Sequence, residues 1–122
     1  MEFKSDKPIY LQIVDYICEK ILRGDWVKEQ RIPSVRELSS TLAVNPNTVM
    51  RAYEILERKE IIFNKRGIGF SVSLDANEKI SESLKKDFID EELPYFFRKM
   101  KMLEFTIKEI ESEYNKFLKI QK

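Results

Sequence analysis

Three observations predict a mainly α fold with one small β-hairpin. Between Ile32 and Phe70, two short helical stretches are separated by a tight turn at Val44-Asn45. Two apolar runs around a basic, glycine-containing turn follow them. After Leu74 glycine disappears, and large apolar residues recur at helical spacing to the end of the chain. Helix, turn, helix and hairpin make a winged helix-turn-helix over residues 1–74, and residues 75–122 make a helical tail.

The first element opens at Pro8, after an N-terminal arm of residues 1–7. Ile9, Tyr10, Ile13, Val14, Ile17, Ile21 and Leu22 recur at spacings of three and four, the signature of an amphipathic helix. Gly24 supplies a stop. Cys18 falls between Ile17 and Ile21 and is expected as a packed thiol, the usual state of a free cysteine. Trp26 is expected to pack on this helix, because large aromatics mainly serve burial.

Arg31-Ile32-Pro33 is extended, since a residue before proline is pushed out of the helical region. Ser34-Val35-Arg36-Glu37 then reads as a capping box, with Ser34 as cap and Glu37 reaching back. Val35, Leu38 and Leu42 give the second helix its apolar face. Arg36 stands in the first turn, where the helix dipole disfavours a cation. It is either tolerated surface or there to meet an anion, which Ser34 and the free N–H groups of that turn would also hold.

The third helix starts at Pro46 and runs to about Lys59. Asn45 is a good cap, and proline at the first helical position loses nothing by having no N–H. Val49, Ala52, Tyr53 and Leu56 form its buried stripe. Asn47, Thr48, Met50, Arg51 and Glu54 are more exposed, and Glu54 with Arg58 forms an i,i+4 pair. Asn47, Thr48 and Arg51 can hydrogen-bond base edges or phosphates, which is what the second helix of a DNA-reading helix-turn-helix needs at its start.

Ile61-Ile62-Phe63 and Ile68 to Val72 read as two strands around the turn Asn64-Lys65-Arg66-Gly67. Gly67 and Gly69 let the backbone bend and come close to a partner. Lys65 and Arg66 make the tip basic, and a hairpin in this place is a wing set to touch a neighbouring groove.

The tail begins with a capping-box pattern at Asp75-Ala76-Asn77-Glu78. Pro94 should kink or split its helix, and Thr106-Ile107-Lys108-Glu109 restarts a last one. Leu84, Phe88, Leu93, Phe96, Phe97, Met100, Ile107, Ile110, Tyr114 and Phe117 are more apolar surface than 48 residues can bury alone. A second copy is the expected cover, and such a dimer sets two reading heads one turn of DNA apart. Tyr95, Phe96, Phe97, Tyr114 and Phe117 also suit an apolar effector pocket, but a dimer core is the expected use.

The bulk composition of the 122 residues excludes other classes. At 43% hydrophobic the chain can build a core, while no run approaches the roughly 18 apolar residues of a membrane span. The start of the chain lacks the apolar stretch of a signal peptide, so a cytoplasmic location and no membrane partner are expected. With one cysteine and no histidine, an internal disulfide, a Cys/His zinc site and His-dependent catalysis are all excluded. The many carboxylates lie beside lysines on helix faces, where solvated surface accounts for them. No enzyme, metal or cofactor is expected. A net charge of +1 does not decide for or against nucleic acid, because phosphate responds to a local patch.

Taken as a set, Pro8-Ile9-Tyr10-Leu11-Gln12-Ile13, Ile32-Pro33-Ser34-Val35-Arg36-Glu37-Leu38, Val44-Asn45-Pro46-Asn47-Thr48-Val49, Arg51-Ala52-Tyr53, Leu56-Glu57 and Gly67-Ile68-Gly69 resemble the GntR family of bacterial transcription regulators. They cover most of residues 8–72 in the family's order and spacing, and the short tail is similar to the YtrA-type subfamily. The chain departs from the family in having Gln30 and Glu60 where glycine is common. It also has Ser71 where the wing usually ends in an aromatic, with Phe70 next to it. The resemblance implies that Arg36, Asn47, Thr48, Arg51, Lys65, Arg66, Gly67 and Gly69 lie at double-stranded DNA, and the anion-holding start of the second helix adds Ser34 to them. Arg51 and Asn47 would read bases, since arginine fits guanine and asparagine fits adenine in two-bond contacts. Ser34, Arg36 and Thr48 would mainly grip phosphate, and Lys65 and Arg66 would act from the wing. It further implies a homodimer on a palindromic operator, repressing a transporter operon that includes its own gene. Larger members carry a separate effector domain, for which a chain of this length has no room, so small-molecule control stays open. The alternative is a winged helix used only to bind protein. Its DNA-facing surface would have lost its cations, and here Arg36, Arg51, Lys65 and Arg66 are all present.

Overall fold

A computed structural model describes residues 6–121. The described chain forms two compact units, one extending to Ser83 and the other starting at Leu84. In order it runs α1 (Ile9–Leu22), α2 (Val35–Leu42), α3 (Pro46–Arg58), β1 (Ile62–Lys65), β2 (Gly69–Val72), α4 (Ala76–Asp87), a π-helical turn (Phe88–Glu92), α5 (Leu93–Leu103) and α6 (Ile107–Ile120). The mainly α fold with a single antiparallel hairpin is as expected from the sequence. No described helix is long and apolar enough to cross a membrane.

The stripes read from the sequence build the core of the first unit. Ile13, Val14, Ile17 and Ile21 of α1 meet Leu38 of α2 and Val49, Ala52, Tyr53 and Leu56 of α3. Ile61, Ile62 and Val72 close it from the hairpin side. Each such aliphatic side chain contributes about 1.5–3 kcal/mol on full burial. Ile9 and Leu22 do not join this stripe; they are 44% and 46% exposed, because the ends of α1 run past the core. Trp26 packs on α1 as expected, edge-on to Tyr16 with ring centroids 6.3 Å apart. Cys18 packs against the core, and burial above all, with the charge of Asp15 adding to it, pushes its thiol up to about 11.

Ala76 and Ile80 of α4 are also buried in this core, so the first turns of α4 belong to the head. Of the expected N-terminal arm, residues 1–5 lie outside the described residues. Lys7 is tied down, its ammonium paired with Asp15 and its carbonyl accepting from the Gln12 side chain at 2.8 Å.

The hairpin is shifted from its expected bounds. Asn64 and Lys65 extend β1, pairing with Phe70 and Gly69, so the turn is Lys65 to Ile68. A further strand-like segment pairs along β2. Glu29 and Ile32 donate N–H bonds to Val72 and Phe70 at 2.7 and 2.9 Å, and Val72 donates to Gln30 at 3.1 Å.

Two local expectations of the sequence close differently. Glu54 and Arg58 are not paired among the described residues; an exposed pair of this kind holds so little energy that solvent competes with it. No capping box forms at Asp75. The turn entering α4 is held instead by backbone bonds from Ala76 to Ser73 and from Lys79 to Asp75. The split expected at Pro94 takes the form of a π-helical turn between α4 and α5, with the backbone at its two ends still helical. Pro94 has no N–H to return to the carbonyl of Asp90, and the chain widens into a π turn in which the Leu93 N–H reaches Phe88. The Thr106 box forms as expected, its hydroxyl accepting from Glu109 at 3.2 Å.

Candidate nucleic-acid interface

The start of α3 is built by its own sequence. The Asn45 side chain accepts from the Asn47 N–H at 2.8 Å, and Pro46 follows it as the first helical residue. With Val49, Ala52, Tyr53 and Leu56 committed to the core, the opposite face of the helix carries Asn47 and Arg51, one turn apart and both exposed. Thr48 is half-buried at the edge of that face. The Arg51 guanidinium lies over the Tyr10 ring, its Cζ 3.8 Å from the centroid, and has no carboxylate partner among the described residues. Tyr10 carried no role in the sequence beyond its place in the α1 stripe.

The start of α2 is closed by the predicted box. The Glu37 N–H donates to the Ser34 hydroxyl at 3.0 Å, and the Ser34 N–H donates to the Glu37 carboxylate at 2.8 Å. That backbone bond, with the Ser34 side chain and then Arg31 adding to it, holds the Glu37 carboxyl below the usual carboxylate range. The Ser34 hydroxyl accepts in the cap but keeps its own proton to donate. Arg36 is exposed and has no acidic partner among the described residues.

Arg31 is the residue that sequence reasoning missed. Its Nη2 donates to the same Glu37 carboxylate at 3.0 Å, and its Nε donates to the carbonyl of Ile68 at 3.0 Å. One guanidinium thus ties the hairpin turn to the cap of α2. The basic residue just before Ile32-Pro33 was visible, but its partner lies on the far side of the helix-turn-helix in the chain.

The wing turn closes by the Ile68 N–H donating to Lys65 at 2.9 Å. Gly67 and Gly69 have φ of +81° and +112°, values that L side chains rarely adopt. A β-carbon at Gly67 would meet nothing within 4 Å, so the backbone angle rather than space requires glycine there. Lys65 and Arg66 are exposed, with Lys65 both ending β1 and opening the turn and Arg66 following it there. Phe70 packs edge-on to Tyr53 with centroids 5.0 Å apart, and the Tyr53 hydroxyl donates to the Pro33 carbonyl at 2.5 Å. Burial holds that phenol well above its ordinary range. So α3, the entry to α2 and the wing are locked together around one tyrosine, and Phe70 takes the aromatic place beside Ser71.

In the second unit no described residue is buried. Leu84, Phe88, Phe96, Phe97, Ile107, Tyr114 and Phe117 are exposed, and Leu93, Met100 and Ile110 are partly covered.

A family model described as bacterial regulatory proteins, gntR family, matches residues 9–72, from the start of α1 to the end of the wing. The chain belongs to the GntR family. The likeness reaches past this head. The helix-turn-helix transcriptional regulator YhcF of Bacillus subtilis is 38% identical over 109 residues, covering 89% of this chain and 88% of the relative. The transcriptional repressor YtrA of the same organism is 41% identical over 90 residues, 74% of this chain and 68% of the relative. Among solved structures, a GntR-family regulator from Bacteroides thetaiotaomicron has a TM-score of 0.84 at 49% identity, covering 94% of this chain and 100% of that one. The chain is therefore a DNA-binding transcription regulator of winged helix-turn-helix type.

Its departures from the GntR pattern have a backbone meaning. Glu60, where glycine is common, stands in the left-handed region at φ +63° and closes the end of α3. Near position 30 the left-handed residue is the preceding Glu29, at φ +66°.

Proposed function

We propose that this GntR-family chain represses transcription as a homodimer bound to a palindromic operator. Asn47 and Arg51 read base edges in the major groove, Ser34, Arg36 and Thr48 hold phosphates, and Lys65 and Arg66 reach the backbone or a neighbouring groove from the wing, where Gly67 and Gly69 allow close approach. The observation that carries this reading is the polar face of α3. Asn47 and Arg51 stand on it one turn apart, exposed, with no carboxylate claiming the arginine. The tail supports the dimer, because α5 and α6 carry apolar faces that their own unit leaves uncovered. The named repressor among its relatives supports repression, and the resemblance to the YtrA type extends the reading to a transporter operon that includes its own gene.

Selection of duplexes from a random library with the full chain tests this directly. The expected product is a palindrome with half-sites spaced by about one helical turn, roughly 34 Å. Recovery of unrelated sequences, bound only through salt-sensitive contacts, would refute sequence-specific recognition. Transcripts that stay unchanged when the gene is deleted, in an operon carrying the selected site, would refute repression.

A further inference from the structure

We propose that Tyr10 is a positioning residue for DNA reading, a platform that holds the Arg51 guanidinium ready for a base. This rests on the reading of Arg51 given above and adds a residue outside the helix-turn-helix to it. Arg51 Cζ sits 3.8 Å from the Tyr10 ring centroid, within stacking contact. Stacking engages the flat π surface of the guanidinium and leaves the N–H donors around its rim unspent. Carboxylate partners act in the opposite way. Arg31 gives donors to Glu37 and Ile68, and Arg23 gives one to Glu19, so those rims are occupied. Arg51 has no such bond among the described residues; it is held by a contact that costs it no donor.

The platform is itself anchored. Tyr10 lies in the first turn of α1, where the N–H groups of Leu11 and Gln12 both bond to the Pro8 carbonyl. The ring is half-buried, one turn before the fully buried Ile13. An arginine stem has several freely rotating bonds, and a free stem must be ordered when it meets a base. A stem already stacked on a fixed ring loses less. The effect is therefore on discrimination, through an arginine whose own atoms make the contact.

The test compares Tyr10→Leu, Tyr10→Phe, Arg51→Ala and Tyr10→Leu/Arg51→Ala in the full chain. Each is titrated against a duplex selected by the wild type and against single-base-pair variants of it. Arg51→Ala identifies the base pair whose discrimination depends on Arg51. At that pair Tyr10→Leu should lower the affinity ratio by about two- to fivefold, and Tyr10→Phe should restore it. In the Arg51→Ala background Tyr10→Leu should change nothing further. The Arg51 side-chain proton signals should show a ring-current shift in wild type and Tyr10→Phe that Tyr10→Leu removes, readable without DNA.

Full discrimination by Tyr10→Leu overturns the proposal. So does an equal loss at every base pair, or in both Arg51 backgrounds, since that marks a merely structural role. An absent ring-current shift overturns it even if Tyr10→Leu is too unstable to titrate. If Arg51→Ala itself keeps wild-type discrimination everywhere, the base-reading role of Arg51 falls first and Tyr10 has nothing to position. That result is separate, because it needs no Tyr10 variant.

Discussion

Arg51 and Asn47 owe their exposure to four neighbours that the core has taken, and that makes their roles separable by substitution. Arg51→Ala removes a planar donor set suited to guanine, so discrimination at one position per half-site should fall by about 1–3 kcal/mol. Affinities for a selected duplex and its single-base variants measure this, and a wild-type ratio at every position would move the reading role to another residue. Glu60 offers a stability test at the same scale. Its left-handed φ of +63° costs a residue with a β-carbon about 1–2 kcal/mol. Glycine returns part of that through its freer unfolded chain. Glu60→Gly should stabilise the head by about 0.5–1 kcal/mol and raise Tm by a few degrees. The lost ion pair to Lys79, 3.5 Å long and joining an exposed carboxylate to a half-buried lysine, subtracts part of this gain. A fall in Tm would mean that this pair outweighs the backbone strain. Residue roles set by near neighbours were legible in the chain. Asn45 before Pro46, and Ser34 three residues before Glu37, spell their caps locally. The stacking of Arg51 on Tyr10 was not legible, because it depends on how α1 lies on α3.

At the scale of elements the wing is where reading and structure part most. Two apolar runs around a glycine turn announced a hairpin, yet the pattern did not fix where the turn lies. Antiparallel pairing carries Asn64 and Lys65 into β1 and moves the turn to Lys65 to Ile68. The segment from Lys28 to Ile32 gave no strand signal of its own, since pairing along β2 is a tertiary event. Placement of Lys65 decides what its removal does. A lysine near phosphates carries charge and no sequence information, so Lys65→Ala should weaken binding to all duplexes about equally and lower the salt slope by about 1. An unchanged slope would take Lys65 out of the contact. Arg31 acts on the wing from the other side, through Ile68 and Glu37. Arg31→Ala should speed amide hydrogen exchange through residues 66–69 while leaving α2 capped, because the Ser34–Glu37 box closes without it. Unaltered exchange in the turn would show that the β1–β2 ladder alone holds the wing.

For the whole molecule, the sequence showed a surplus of apolar residues in the tail, and the single chain leaves them uncovered. Residues that their own unit leaves incompletely covered are as apolar as those that build the core of the head: Phe96 is 42% and Phe97 55% exposed, while Ile13 and Leu56 are fully buried. Covering such residues is worth more than any exposed ion pair in the tail, since each large side chain gains about 1.5–3 kcal/mol on full burial and a surface pair about 0–1. A second copy is the partner this reading needs, and its removal should show twice. The Phe96→Ser/Phe97→Ser variant should sediment as a monomer, because two polar hydroxyls replace two aromatic rings in the seam. Binding should then fall unevenly. A head without its partner keeps every contact to one half-site, so affinity for an isolated half-site duplex should match the wild type. Affinity for the full palindrome should fall by about a hundredfold or more, the advantage that linkage gives a second head. If the variant sediments as a tight dimer, the seam lies on other residues. If it is monomeric but holds the palindrome at wild-type affinity, the two heads do not bind as a linked pair.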